Sequence, residues 1–257
     1  MKKQMFSPKQ NVNSRKLASM WGAFIDWDKR LLTEGPFLLE HLRRHNCRRV
    51  FDAALGDGVL SIYLLKNGFD VASNELDAEF RKVALENAKR EGVKLVVSDH
   101  YWQDLHKHFR ENSFDAVVCE GNSLCCEPSS AGRRKAVQNF HFILRQDGML
   151  EIDERNFDYM LRNREEILAG NFRYSGNVIY CGDRIHAVPV KITERKVVMQ
   201  YTDESNGKRG YFRIYPFKGG ELVSLIRSAK FTRVESFSDF KPGFDPNADF
   251  YMHIAVK

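Results

Sequence analysis

The stretch Val-Phe-Asp-Ala-Ala-Leu-Gly-Asp-Gly, residues Val50–Gly58, sets the architecture that we expect for this chain. Its apolar start is typical of a buried strand, its end is a Gly-x-Gly turn, and a helical pattern follows from Val59. Glycines serve where a backbone turns sharply and a ligand approaches it closely. Glu75 stands 17 residues after Gly58, at the end of the next strand pattern, where an acid can accept both ribose hydroxyls. Together these features predict a nucleoside-binding α/β domain.

Strand and helix patterns alternate outward from this turn. Strands are predicted at 49–54, 69–74, 93–98, 114–119 and 149–153. Helices are predicted at 59–66, 77–90 and 134–144. Such alternation is typical of a mostly parallel, Rossmann-like sheet with helices on both faces.

The two ends of the chain and the stretch after Asp158 follow other patterns. Residues 17–46 have helical periodicity, whereas 171–217 contains β-rich runs without helical patterns between them. These runs predict an antiparallel insertion; they are Asn177–Cys181, Lys191–Tyr201 and Tyr211–Phe217. A helix at Glu221–Ala229 and strands at Arg233–Phe237 and Asp249–Val256 complete the prediction.

We therefore expect four segments. They are an N-terminal helical segment over the active site (1–46), a nucleoside-binding core (47–158), a β-rich insertion or substrate cap (159–220) and the C-terminal part of the core sheet (221–257).

The turn favours S-adenosylmethionine over a dinucleotide. A dinucleotide fingerprint would have a third glycine at position 61, where this chain has Ser61. The carboxylates of Asp52 and Asp57 would repel a pyrophosphate but suit the sulfonium and ammonium of S-adenosylmethionine. Either acid could instead be structural, Asp52 as a strand-end cap and Asp57 as a turn former.

Composition narrows the function classes. The 257 residues suffice for one substantial core, and no apolar run is long enough to cross a membrane. The net charge of +6 admits a nucleic-acid partner, but the basic residues are scattered without interleaved aromatics.

Five cysteines without a CxxC pair, and no signal-peptide pattern, favour reduced thiols in the cytoplasm. No metal-ligand pattern is predicted, and the oligomeric state stays open, a homo-oligomer included.

Several further motifs carry a family likeness. From about Trp21 to the C-terminus, the chain resembles glycine N-methyltransferases and, more closely, glycine/sarcosine N-methyltransferases, which are class I S-adenosylmethionine-dependent enzymes with a seven-stranded sheet. The likeness rests on the segments 25–30 with Glu34-Gly35, 52–58, 119–123 (Cys-Glu-Gly-Asn-Ser), 152–158 (Ile-Asp-Glu-Arg-Asn-Phe-Asp), 180–183 and 249–254.

The resemblance implies roles for individual residues. Arg30 would hold the cofactor's carboxylate, Glu75 the ribose, and Trp102 with Tyr101 the adenine. The remaining cofactor-binding residues would be Trp21, Asp52, Ala54, Gly56, Asp57, Gly58 and Gly121. The acceptor would be bound by Asn122, Arg155, Tyr180, Tyr201 and Tyr215.

The chain departs from the family pattern near the expected acceptor site. Asp57 replaces a threonine, the segment 124–127 (Leu-Cys-Cys-Glu) replaces a stretch with Phe and His, and Glu154 and Phe157 replace the usual neighbours of the Arg-Asn pair. These changes leave the acceptor less well defined than the reaction.

The residues themselves indicate a small zwitterionic acceptor. Asn122 and Arg155 follow two predicted strands, at the sheet edge where ligands bind in open α/β folds. Arg155 can give a carboxylate a bidentate partner, and methyl transfer needs mainly positioning. Structural alternatives are a salt bridge of Arg155 to Asp153 or Asp158, and a turn role for Asn122.

The leading hypothesis is methylation of the amine of glycine, sarcosine or a similar amino acid, the reaction type of betaine formation. The alternatives are another small amine, a nucleic-acid methyltransferase and a cofactor-binding protein without catalysis. The segment 119–123 lacks the Asn-Pro-Pro-aromatic stretch used on flipped bases, which disfavours nucleic acid.

Overall fold

The computed structural model describes residues 14–171 and 184–257, with side chains from Leu17 onward. Its helices are α1 Ser14–Phe24, α2 Trp27–Arg44, α3 Val59–Lys66, α4 Ala78–Arg90, α5 Leu105–His108, α6 Ser130–Ile143, α7 Phe157–Arg162, α8 Arg164–Glu166 and α9 Glu221–Ser228. Its strands are β1 Arg49–Asp52, β2 Asp70–Asn74, β3 Val96–Ser98, β4 Phe114–Cys119, β5 Leu144–Arg155, β6 Ile185–Thr193, β7 Lys196–Asp203, β8 Lys208–Ile214, β9 Arg233–Ser238, β10 Lys241–Pro242 and β11 Phe250–Val256. Short 3-10 turns occupy Trp102–Asp104 and Leu124–Cys126, and a π-helical turn occupies Ile167–Asn171.

Eight strands of the described chain form the central sheet, in the order β10-β9-β11-β5-β4-β1-β2-β3. The strands from β5 to β3 are parallel, whereas β11 is antiparallel to both β5 and β9. This confirms the predicted Rossmann-like fold, and the two-residue β10 is the addition to the expected seven strands. The strand order reverses between β1 and β4, and in open α/β sheets ligands bind at such a switch point.

Burial explains why the central strands form where predicted. In β1, Val50 and Phe51 have no exposed surface, and β4 is apolar along its length except at Asp115. Parallel strands covered by helices on both faces favour such continuous apolar runs. The predicted helix at 59–66 matches α3, and Asp77 caps α4 by accepting hydrogen bonds from the amides of Glu79 (2.9 Å) and Phe80 (3.3 Å).

A second, antiparallel sheet of β6, β7 and β8 covers the carboxyl end of the central sheet. This sheet is antiparallel, as predicted for the insertion, but its strands do not all begin and end at the predicted residues. The expected single strand Lys191–Tyr201 is wrong, because the chain turns at Glu194 and Arg195 between β6 and β7. The predicted strand Asn177–Cys181 lies outside the described residues, as do Tyr180 and the motif 180–183.

The N-terminal helices close the same end of the sheet. Leu17 and Met20 of α1 pack in the main core cluster with residues of the small sheet, among them Met199 and Tyr201. The described helices include none that is long and apolar enough to cross a membrane.

Candidate functional site

Two adjoining cavities lie at the carboxyl edge of the central sheet. We call the first the cleft; it is lined by Ala54, Gly56, Asp57, Glu75, Tyr101 and Trp102, among others. The second, the chamber, is lined by Asn122, Asp153, Arg155, Tyr201 and Phe250, among others. Trp21, Arg30 and Gly121 line both cavities, so the two spaces meet there.

The turn after β1 brings its backbone against Glu75. Gly56 has a left-handed φ of +56°, and its amide donates a hydrogen bond to Glu75 Oε2 at 3.0 Å. The amide of Asp77 donates to Glu75 Oε1 at 2.9 Å. Burial raises the pKa of Glu75 to about 7, although both hydrogen bonds oppose the shift. Each carboxyl oxygen keeps a second lone pair, so the side chain is positioned and still able to accept hydroxyl hydrogens.

Gly58 lies on the side of the turn that packs against α4, and it is not among the residues that line the cleft. Its φ is +85°, and a Cβ there would lie 2.9 Å from the Cβ of Ala84. A glycine is therefore required both for the backbone conformation and for the close approach of α4.

Asp52 also lies beneath the turn rather than along the cleft. It is 2% exposed; Ser61 Oγ donates to its Oδ2 at 2.6 Å and the Ala54 amide to its Oδ1 at 3.1 Å. Burial raises the pKa of Asp52 to about 6 against these hydrogen bonds. These contacts are those of a carboxylate that caps the end of a strand, which was the structural alternative for Asp52.

Asp57 does line the cleft, and Trp27 Nε1 donates a hydrogen bond to its Oδ2 at 2.8 Å. Across the cleft, Trp102 is fixed because its Nε1 donates to the carbonyl of Ala53 at 2.7 Å. The indole is therefore held beside the glycine turn, with Tyr101 next to it.

The predicted acceptor residues Asn122 and Arg155 come together in the chamber. The Arg155 amide donates a hydrogen bond to Asn122 Oδ1 at 3.2 Å. Asp153 holds the turn that carries Asn122, because its carboxylate accepts the amides of Gly121 (3.1 Å) and Asn122 (2.6 Å). The guanidinium of Arg155 stacks on Phe250, its register partner in β11, with 4.9 Å from Cζ to the ring centroid.

Aromatic side chains form the wall of the chamber that faces the small sheet. The Trp21 and Tyr201 rings lie 5.8 Å apart, and Phe24 meets Tyr201 edge-on at 5.0 Å. Tyr201 is 6% exposed and lines the chamber as expected. Tyr215 differs from the expectation, since it lines the cleft: its hydroxyl hydrogen-bonds Glu221 at 2.9 Å, and Arg133 stacks on its ring at 3.5 Å.

Arg30 lies at the junction of the two cavities and pairs through Nε with Glu34. Burial by itself would lower the pKa of Arg30, but the charges of Glu34, Glu120 and Asp153 raise it above its ordinary value. Its terminal guanidinium nitrogens are the part that can face a cofactor carboxylate.

Sequence analysis assigned no site role to the three glutamates of the chamber, Glu34, Glu120 and Glu151, which are 2%, 8% and 0% exposed. A signal for two of them was present, because Glu120 directly follows the apolar run of one central parallel strand and Glu151 interrupts the apolar run of another. Charged residues are rarely fully buried unless they are paired, so a charge inside such a run marks a special site.

The departures from the family pattern lie around the chamber rather than in it. Glu154 is directed away from Arg155 and pairs with the buried His253, whose Nε2 lies 3.1 Å from Glu154 Oε1. Phe157 is in the core, and Cys125 and Cys126 line the cleft. The described cysteines, at 47, 119, 125 and 126, are thiols.

Comparisons with known proteins agree with this geometry. A methyltransferase domain family matches residues 51–152. The chain is 32% identical to the glycine/sarcosine N-methyltransferase of Aphanothece halophytica, covering 96% of this chain and 91% of that protein. It is 33% identical to the protein of that name from Parasynechococcus marenigrum (92% and 81% covered) and 30% identical to the glycine N-methyltransferase of Rattus norvegicus (93% and 90% covered). A solved S-adenosylmethionine-dependent methyltransferase from Clostridium acetobutylicum superposes with a TM-score of 0.71 at 14% identity, over 95% of this chain and 96% of that one.

Proposed function

The chain belongs to the glycine/sarcosine N-methyltransferase family, and we propose that it transfers a methyl group from S-adenosylmethionine to the amine of glycine or sarcosine. The observation that carries the proposal is the meeting of two cavities at Arg30 and Gly121. One has the features of a nucleoside site, and the other contains an arginine and an asparagine suited to a small zwitterion. Methyl transfer requires two ligands to meet in this way.

In the proposed cofactor site, Glu75 accepts the ribose hydroxyls and Gly56 lies along the methionine portion. Trp102 and Tyr101 flank the adenine, and a terminal nitrogen of Arg30 binds the cofactor's carboxylate. Asp57 contributes negative charge near a ligand whose sulfonium and ammonium are both positive. Asp52 and Gly58 support the turn without touching the ligand, which is the role their contacts indicate.

In the proposed acceptor site, Arg155 binds the carboxylate and Asn122 orients the reacting end. Phe250 supports the guanidinium from one side, and the carbonyl oxygen of the Asn122 side chain already accepts the Arg155 amide. Tyr201 and Trp21 complete the wall against the cleft. Tyr180 keeps its expected role as a proposal from the family resemblance only.

The chemistry asked of these residues is mainly positioning. The amine lone pair attacks the methyl carbon in line with the departing sulfur, and the sulfonium charge is lost as the nitrogen becomes cationic. Holding the nucleophile and the methyl carbon together supplies most of the acceleration in such bimolecular reactions. We place the reaction in the cytoplasm, where the thiols of the described cysteines would stay reduced.

A panel of acceptors with radiolabelled S-adenosylmethionine tests the proposal. Transfer to glycine, sarcosine or both should exceed transfer to methylamine, which lacks the carboxylate for Arg155. Label in an RNA or in unrelated amines, with none in the amino acids, would overturn the assignment of the acceptor.

A further inference from the structure

Three glutamates reach the chamber from three different elements. Glu34 comes from α2, Glu120 directly follows β4, and Glu151 lies within β5. All three are at least nine-tenths buried. Burying a carboxylate is costly unless it is paired or neutralised, so this arrangement calls for a ligand or a proton.

Glu120 and Glu151 differ from the other buried acids of the site in their partners. Glu34 pairs with Arg30, and Asp153 accepts two backbone amides. By contrast, none of the four carboxyl oxygens of Glu120 and Glu151 receives a hydrogen bond from an N–H or O–H group of the described residues. Both carboxyl groups line the chamber, and they come from neighbouring strands, because β4 pairs with β5 through Val118 and Glu151 and through Cys119 and Ile152. One proton held between the two groups would give each a hydrogen-bond partner.

The surroundings oppose full ionisation of this carboxyl pair. Arg30 and Glu34 face it from α2, Asp153 and Arg155 from β5, and Tyr201 from β7. The one charge of Arg30 is already shared with Glu34. Burial raises the pKa of Glu120 and of Glu151 well above the usual range, and the neighbouring carboxylates add to the shift. Both shifts favour a pair that retains one proton and carries at most one negative charge.

We propose that Glu120 and Glu151 form a proton-sharing pair that binds the ammonium group of the acceptor and takes one proton from it before methyl transfer. The proposal rests on the proposed function, because amino acids enter solution near neutral pH as ammonium ions and only the free amine is nucleophilic. The chamber would then have a cation for the acceptor's carboxylate and an acidic pair for its ammonium.

Proton transfer to the pair precedes methyl transfer. One N–H bond of the ammonium breaks, its electrons stay on nitrogen, and an O–H bond forms on the pair. The nitrogen lone pair then forms the new N–C bond while the S–C bond breaks and leaves its electrons on sulfur. The pair loses the proton to solvent after the products leave, and a methylated ammonium can return for a second round.

The pH dependence of Glu120→Gln with sarcosine tests this role. At pH 7, kcat/KM should fall by about 100- to 10,000-fold, the range that general base catalysis contributes. The variant's activity should then rise about tenfold per pH unit up to the ordinary pKa of the amine, because only free amine reacts. The wild-type profile should level off at lower pH. Glu151→Gln should behave in the same way and serves if Glu120→Gln does not fold.

Glu154→Gln is the matched control, since it also removes a buried carboxylate from β5 but on the side of His253. Its pH profile should match the wild type. A wild-type profile in both chamber variants, or the same pH-independent loss in all three, would overturn the proton-accepting role while leaving the methyltransferase assignment intact. Absence of wild-type turnover with glycine and sarcosine would overturn the proposed function and this proposal together.

A measurement on the wild type checks the same step without a variant. Calorimetry of sarcosine binding to the complex with S-adenosylhomocysteine, in buffers of different ionisation enthalpy, counts the protons released. No net release is expected near pH 7, because the pair keeps the proton. Release of about one proton per acceptor would mean that the amine binds already neutral with no base, and would overturn the proposal.

Discussion

The cleft and the chamber share Trp21, Arg30 and Gly121 but are built in different ways. The cleft depends on the turn that follows β1, in which the main chain of Gly56 lies against one carboxylate, Glu75. The chamber depends on side chains from α1, α2, the turn after β4, β5, β11 and the small sheet. Local backbone geometry thus creates the first cavity, and long-range packing of charges creates the second.

Substitutions in the two cavities should therefore have different effects. Changes in the cleft should act on cofactor affinity or on folding, with little selectivity for the acceptor. Changes in the chamber should act on the acceptor while leaving cofactor affinity near the wild-type value. A chamber variant that loses cofactor affinity, or a cleft variant that changes selectivity for the acceptor, would show that the two cavities do not have separate roles.

The largest effect is expected for Arg155→Ala. Removing the proposed carboxylate partner should lower kcat/KM for sarcosine by about 2–5 kcal/mol, on the order of 30- to 5,000-fold. Arg155→Lys should recover only part of the loss, since an ammonium lacks the planar fork. Steady-state kinetics measure the effect, with the Kd of S-adenosylhomocysteine as control. A folded Arg155→Ala enzyme with wild-type preference for sarcosine over methylamine would show that the carboxylate binds elsewhere.

The next effect concerns folding and tests the backbone construction of the cleft. Gly58→Ala forces an alanine into a left-handed conformation and presses its Cβ against Ala84, 2.9 Å away. We expect a loss of about 2–4 kcal/mol in the free energy of unfolding, from conformational strain and overpacking together. Gly56→Ala is the matched control: its φ is also positive, but the nearest atom is 3.9 Å away, so only the strain of about 1–2 kcal/mol should remain. Equal losses in urea unfolding would contradict this distinction.

Sequence alone predicted the cleft better than the chamber, for a physical reason. Gly56, Glu75 and Trp102 each follow a strand of the parallel sheet, so a local pattern locates them at the ligand edge. Tyr215 could not be assigned in this way, because its position depends on Glu221 and on the stacked Arg133. Likewise, the turn at Glu194 and Arg195 contains neither glycine nor proline, so no turn signal interrupted the strand prediction.

Sequence alone was also unable to predict that acidic side chains meet in the chamber. Glu120 and Glu151 are 31 residues apart, and only the pairing of β4 with β5 brings them to one cavity. A sequence pattern can mark a charge within a buried strand, but it cannot show which other charge faces it. The acceptor chemistry therefore required the three-dimensional structure.

An intermediate effect is expected for Glu75. Glu75→Ala should weaken binding of S-adenosylhomocysteine by about 1.5–3 kcal/mol, the worth of hydrogen bonds to a charged group. Because burial raises the pKa of Glu75 to about 7, the wild-type affinity should increase from pH 6 to pH 8 as the carboxylate ionises. Calorimetry across this range should show the increase in the wild type and a flatter profile in Glu75→Ala. An unchanged affinity in the variant would mean that the ribose lies elsewhere.

The same group affects the stability of the ligand-free protein in the opposite direction. Between pH 4.5 and 7, Glu75 holds a proton in the folded state that the unfolded chain has released. Its contribution to the free energy of unfolding is therefore present at low pH and lost as the pH rises through about 7. Asp153, with a pKa raised by burial to about 7, adds to the same slope. Ligand-free stability that rises over this interval would contradict the protonation assigned to the two acids.

The smallest effect is expected for Phe250, which supports Arg155 in the chamber without contributing charge. Its ring lies 4.9 Å from the Arg155 guanidinium carbon, and Phe250 is the register partner of Arg155 across β5 and β11. Phe250→Leu keeps an apolar side chain but removes the ring, so it should cost about 0.5–1 kcal/mol of cation–π interaction. The expected result is a KM for sarcosine raised about two- to fivefold, with cofactor affinity unchanged because Phe250 lines the chamber and not the cleft.

Phe250→Tyr is the matched control, because it retains the ring and should stay close to the wild type. A similar loss in Phe250→Tyr would point to packing rather than stacking. A loss of cofactor affinity would show that the chamber and the cleft do not have separate roles.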